Sequence, residues 1–127
     1  MNVKKLKKVA EYILAEPEGF DQDTYGSLNE DRSRCGTQCC IAGTTLLLEN
    51  PRRYLRTLHV GSDTSISREA AKALGLTEEE AQELFNPAEL WPEEFARRYD
   101  RTEPNTKKRA RVAYDRIMHF IKTRGRE

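Results

Sequence analysis

Three cysteines fall within six positions of the chain, in the run Cys35-Gly36-Thr37-Gln38-Cys39-Cys40. No other stretch so concentrates residue types that can do chemistry. Gly36 and Thr37 stand just ahead of an apolar segment that reads as a helix. Exposed backbone amides and the positive end of a helix dipole favour an anion at such a place. Thr37 or Cys35 can cap the helix, Gly36 removes side-chain obstruction, and Gly43 lets a second backbone or a flat ligand come close to the first turns. Arg34, Arg52 and Arg53 would supply the charge that turns a weak anion nest into a phosphate site. Tyr25 and Trp91, the single tryptophan, are the aromatics placed to stack on a base or to close the core.

Other readings of the same residues stand beside this one. Cysteine, alanine and glycine are small, and they let a buried helix pack tightly on its neighbours. The glycine is single, and no glycine-rich phosphate loop accompanies it. Structural zinc would need about four ligands, and the chain offers Cys35, Cys39, Cys40, His59 and His119 without a Cys-x-x-Cys spacing. Cysteine catalysis would need His59 or His119 within reach of a thiol. Each histidine also suits a surface or core-edge role. Glu78-Glu79-Glu80 reads as a helix start rather than an acid/base pair, so no carboxylate dyad stands out. The reading therefore leans away from an enzyme and calls for no cofactor and no bound metal.

The elements that must position these residues follow from composition and periodicity. With 127 residues the expectation is one helical domain over 1–127. About a third of the residues are charged (34%), yet apolar residues recur along the length, which argues against disorder. No run approaches the roughly 18 apolar residues of a membrane span, and the start leads into no apolar signal region, so the expected location is cytoplasmic, with no membrane partner. An odd cysteine count is a poor disulfide framework and points to reduced thiols.

Val3, Leu6, Val9, Ala10, Ile13 and Leu14 share a helical face that Glu16-Pro17 ends. Residues 18–34 read as an ordered loop with Phe20 and Tyr25 as apolar anchors. Cys39 to Leu48 is the most apolar segment, with Cys40, Ile41, Thr44, Leu47 and Leu48 on one face of a central helix that Asn50-Pro51 closes. Residues 51–58 form a further turn or two. Ser65 caps a helix through Leu74, with Ile66, Ala70, Ala73 and Leu74 inward and Gly75 as its left-handed stop. Thr77 and Glu80 form a capping box for the next helix. Pro92 opens a short helix carrying Phe95 and Tyr99. The last helix starts near Asn105 or Thr106 and runs to about Thr123, with Ala110, Ala113, Tyr114, Ile117, Phe120 and Ile121 inward. Strand-like alternation is nowhere sustained. The predicted fold is all-α, a compact bundle of about five to six helices around the central apolar helix.

The nine residues Cys35 to Gly43 resemble a Cys-Gly-Thr-x-x-Cys-Ile-Ala-Gly signature of small uncharacterised proteins of phages and bacteria. The likeness continues through the first helix, Ala73 to Leu76, Ala81, Leu84-Phe85, Trp91-Pro92 with Phe95, and Ile117 with Phe120. It implies a phage or prophage setting and brings no biochemical role. Members often carry tryptophan where this chain has Thr44, which marks Thr44 as a position where a ligand contact would differ.

The predicted ligand-binding set is Tyr25, Arg34, Cys35, Gly36, Thr37, Gln38, Thr44, Arg52, Arg53 and Trp91. The functional expectation is a non-catalytic phage or mobile-element protein that sequesters a small anionic, nucleotide-type signal. The alternative is a protein–protein inhibitor or adaptor that meets a host protein through a helical surface; a homo-oligomer is compatible with either. Lys107, Lys108, Arg109, Arg111, Arg116, Lys122 and Arg124 make the last helix basic. The net charge of only +1 and the lack of any nucleic-acid-binding motif argue for a solvated face and against a nucleic-acid partner.

Overall fold

The computed structural model describes residues 1–20, 22, 27–28, 37–38, 40–54, 63–103 and 106–124. These form an all-α fold. Helix α1 spans Val3–Ala15 and α2 Ile41–Glu49; α3 is described over residues 51–54. Helix α4 spans Asp63–Leu74, α5 Glu78–Phe85, α6 Glu93–Asp100 and α7 Lys107–Thr123. Short 3-10 turns lie at Pro17–Gly19 and Ala88–Leu90. Two-residue strands β1 (Ser27–Leu28) and β2 (Thr37–Gln38) pair antiparallel, with Ser27 opposite Gln38 and Leu28 opposite Thr37. A strand of two residues is too short to leave an alternation in the sequence.

Helix α1 begins where Asn2 Oδ1 accepts the Lys5 amide at 3.0 Å and buries Leu6, Val9, Ala10 and Ile13. Leu6, Val9 and Ile13 each contribute about 1.5–3 kcal/mol relative to exposure. The helix packs against α7 and α2, and α2 in turn packs against α4. Helix α2 is buried on every side from Ile41 to Leu47, which suits a helix at the centre of a bundle better than one apolar stripe would. Leu48, expected on the inner face, is 42% exposed, while Thr45 and Leu46 point inward. Thr45 tolerates burial because its hydroxyl donates to the Ile41 carbonyl at 2.9 Å.

Asn50 stops α2, and its side-chain oxygen accepts the Arg53 amide at 3.1 Å, so the same residue starts α3. Helix α4 begins at Asp63, two residues before the Ser65 expected to cap it, and Ala73 is half-buried rather than inward. Gly75 terminates it at φ +66°, a conformation that costs other residues roughly 1–2 kcal/mol. The capping box is present in full. Glu80 N–H donates to Thr77 Oγ1 at 3.2 Å, and Thr77 N–H donates to Glu80 Oε1 at 2.9 Å.

Pro92 occupies the cap of α6 rather than its first turn. Thr106 caps α7 by accepting the Arg109 amide at 3.3 Å. At the other end Arg124 adopts the left-handed conformation, φ 55°. Tyr114 and Ile121 are half-buried, and Val112 and Arg116 take the inward positions. Arg116, placed by its charge among the basic surface residues, is fully buried. Its guanidinium lies 5.9 Å from the Phe95 ring and 5.7 Å from the Phe120 ring, and its Nη2 donates to the Glu83 carbonyl at 3.2 Å.

Candidate functional site

The entrance of α2 is built by a residue that the sequence did not single out. Gln22 is buried, with 2% of its surface exposed. Its Oε1 accepts the Ile41 amide at 3.1 Å. Its Nε2 donates to the Asn86 carbonyl at 2.8 Å and the Leu84 carbonyl at 3.3 Å, and its own amide donates to the Tyr99 hydroxyl at 3.1 Å. One amide side chain thus satisfies the first donor of α2 and two carbonyls at the end of α5, which is what buried helix ends require. Gln22 stands in Asp21-Gln22-Asp23, a polar stretch with no apolar periodicity to advertise a buried residue.

This arrangement changes the picture of the signature. Cys40, neither Thr37 nor Cys35, occupies the cap position of α2, and its own side chain makes no capping hydrogen bond, the first amide being taken by Gln22 instead. Thr37 and Gln38 belong to β2. Every residue from Cys40 to Leu47 is buried, including Thr44 at 1% exposure, so the first turns of α2 present no open surface to an anion. Arg52 and Arg53 follow the far end of α2; nine residues at 1.5 Å each separate them from its entrance by about 13 Å of helix. Arg52 is exposed, and Arg53 is held by an ion pair with Glu69 of α4. Trp91 is 4% exposed. Its Nε1 reaches the Leu84 carbonyl at 3.4 Å and its ring meets Tyr99 edge-on at 5.5 Å, so its planar faces serve the core. Tyr25, Arg34, Cys35 and Gly36 lie outside the described residues, as do Cys39 and His59.

Among the described residues, no three His, Cys, Asp or Glu side chains converge as metal ligands. His119 lies half-buried with its ring 5.2 Å from that of Phe95. No helix among the described residues is long and apolar enough to cross a membrane.

Among the described residues, a groove of about 550 Å³ lies between α1 and α2. Val9 and Thr45 form its floor, and Tyr12 and Leu48 its apolar walls. Lys5, Lys8, Glu11 and Glu49 surround it. The Lys5 ammonium and Glu49 carboxylate pair at 2.7 Å, and the two lysines balance the two glutamates. The rim therefore carries polar specificity without a net field for phosphate. Sequence reasoning missed the groove because it assigned Leu48 to the buried face. Compared with family models, with curated proteins and with solved structures, the chain matches none.

Proposed function

We propose that this chain is a non-catalytic binding protein that engages a protein partner through a helical surface, with the α1–α2 groove as the point of contact. The observation that carries this reading is Leu48, 42% exposed beside the half-buried Tyr12 at the mouth of a groove whose rim charges cancel. An apolar floor with a polar, charge-balanced rim matches the anatomy of a protein contact more closely than that of a phosphate site. In the phage or mobile-element setting that the signature implies, the partner is a host protein and the role is that of an inhibitor or adaptor.

Sequestration of a nucleotide-type anion, the other reading of the signature, draws less support. The α2 entrance is buried, its first amide is taken by Gln22, and the two arginines that follow α2 stand away from that entrance. The two readings separate in one experiment. A photo-crosslinking residue placed at Leu48 should yield one discrete protein adduct in cells, and the same residue at Leu90, 61% exposed on the Ala88–Leu90 turn, should not. A panel of cyclic and linear nucleotides should leave the melting temperature unchanged. A nucleotide that raises it and shifts the amide signals of Thr37 and Gln38 would replace the groove reading with sequestration.

A further inference from the structure

The charge of the described helices is segregated although the chain is nearly neutral. Residues 77–103, covering α5 and α6, hold nine carboxylates against three arginines. Helix α1 carries Lys4, Lys5, Lys7 and Lys8 against Glu11 alone. Helix α7 carries six basic residues against Asp115 alone.

Burial of Leu6, Val9, Ala10 and Ile13 turns Lys4, Lys7 and Lys8 of α1 outward, and all three are exposed. Burial of Ala110, Ala113, Ile117 and Phe120 does the same for Lys107, Lys108, Arg111 and Lys122 of α7. Helices α1 and α7 pack against each other, and α6 also packs on α7, where its Arg98 pairs with Asp115 at 2.7 Å. Intramolecular partners account for only part of this charge: Lys5 pairs with Glu49, and Arg111 with Asp115 at 3.1 Å. Lys4, Lys7, Lys108 and Lys122 make no ion pair among the described residues.

We propose that the outer faces of α1 and α7 bind the phosphate backbone of a nucleic acid without reading its sequence. Lys108 and Lys122 are fourteen positions apart on one helix, about 21 Å at 1.5 Å per residue. Cations so dispersed cannot converge on one small anion, but they run alongside about six base pairs of a duplex whose charges recur every 1.7 Å of axis. Lysine is depleted from protein interfaces, and on the same helix the Arg111 guanidinium stands 5.2 Å over the ring of half-buried Tyr114. Phosphate contacts of this kind fix position and affinity and carry no base information. Lys8 borders both this face and the α1–α2 groove, but Lys4, Lys7, Lys108 and Lys122 do not line the groove, so the test uses no groove residue.

Fluorescence anisotropy of a labelled duplex and a labelled single strand, each of about 24 nucleotides per strand, tests the proposal. With about four phosphate contacts, affinity should fall roughly a hundredfold between about 50 and 200 mM salt. Lys4→Glu, Lys7→Glu, Lys108→Glu and Lys122→Glu should each weaken binding several-fold and reduce the logarithmic salt slope by about one contact. Arg68→Glu, exposed on α4, should change neither. All are surface substitutions, and unaltered melting temperatures would confirm the fold. The proposal is overturned if about 100 µM protein at the lower salt leaves both probes unbound, or if the reversals leave the salt slope unchanged. It is also overturned if sedimentation velocity shows copies of the chain associating and the same reversals abolish that association, because the basic face would then meet the carboxylates of a second copy.

Discussion

The side-chain oxygen of Gln22 accepts the Ile41 amide at 3.1 Å, so the first donor of the central helix is satisfied from nineteen residues away in the chain. The nitrogen of the same amide group holds the Leu84 and Asn86 carbonyls. Gln22→Ala would strand the buried Ile41 amide and take one partner each from the Leu84 carbonyl, which keeps Trp91 Nε1, and the half-buried Asn86 carbonyl; an unsatisfied buried group costs about 1–3 kcal/mol. Allowing for partial relaxation, the loss should be about 2–4 kcal/mol in urea unfolding, read as a lower midpoint with the slope unchanged. A loss below about 0.5 kcal/mol would mean that water replaces the side chain and that the α2 entrance is open after all.

Thr77 and Glu80 cap α5 reciprocally. Thr77→Ala should cost about 1 kcal/mol. The double substitution with Glu80→Ala should cost less than the sum of the two single ones, since both report on one box. A double-mutant cycle by chemical denaturation checks this, and strict additivity would show the two hydrogen bonds to be energetically independent.

The box was legible in the sequence because capping is local: Thr77 and Glu80 lie within four residues, and their spacing encodes the geometry. The same holds for Gly75 as a left-handed stop, for Asn50-Pro51 as an end, and for the buried stripe of α1. What the sequence hid is non-local. Thr37 precedes an apolar run, and its pattern reads as a cap, but β2 pairs with β1 and the helix starts only at Ile41. Arg116 carries a charge and reads as surface, but α7 turns it inward between Phe95 and Phe120. Gln22 lies between two aspartates and its role depends on α2, α5 and α6 arriving together. Of the candidate site, Trp91 could be read from the sequence either as a ligand contact or as a core aromatic, and it is buried in the core. The distance of Arg52 and Arg53 from the α2 entrance follows only once α2 is seen to run unbroken through Glu49.

Arg109 joins α7 to the end of α6 in a way that only a planar fork can manage. Its Nε donates to Thr102 Oγ1 at 2.8 Å, and its Nη2 donates to the Thr102 carbonyl at 2.6 Å and the Tyr99 carbonyl at 3.3 Å. The guanidinium also stands 4.3 Å over the Tyr99 ring. Arg109→Lys keeps the charge and loses the fork, so it should cost about 1–2 kcal/mol in urea unfolding. Because Tyr99 also accepts the Gln22 amide, the amide signal of Gln22 should shift in the variant. A lysine variant as stable as the parent would show that charge alone suffices at this junction.

Arg116 tests whether a buried cation is needed or merely accommodated. Its guanidinium is enclosed by two aromatic rings and reaches a carbonyl of α5, and removing a charge from water is expensive even where rings and a carbonyl compensate. Arg116→Met keeps much of the side-chain length without the charge and should lie within about 1 kcal/mol of the parent or above it. Arg116→Ala leaves a cavity among Phe95, Phe120 and α5 and should cost about 2–4 kcal/mol. Urea unfolding of the pair gives the answer directly. If methionine is as damaging as alanine, the hydrogen bond to Glu83 and the ring contacts outweigh packing, and the buried charge is itself a structural requirement of the α5–α7 junction.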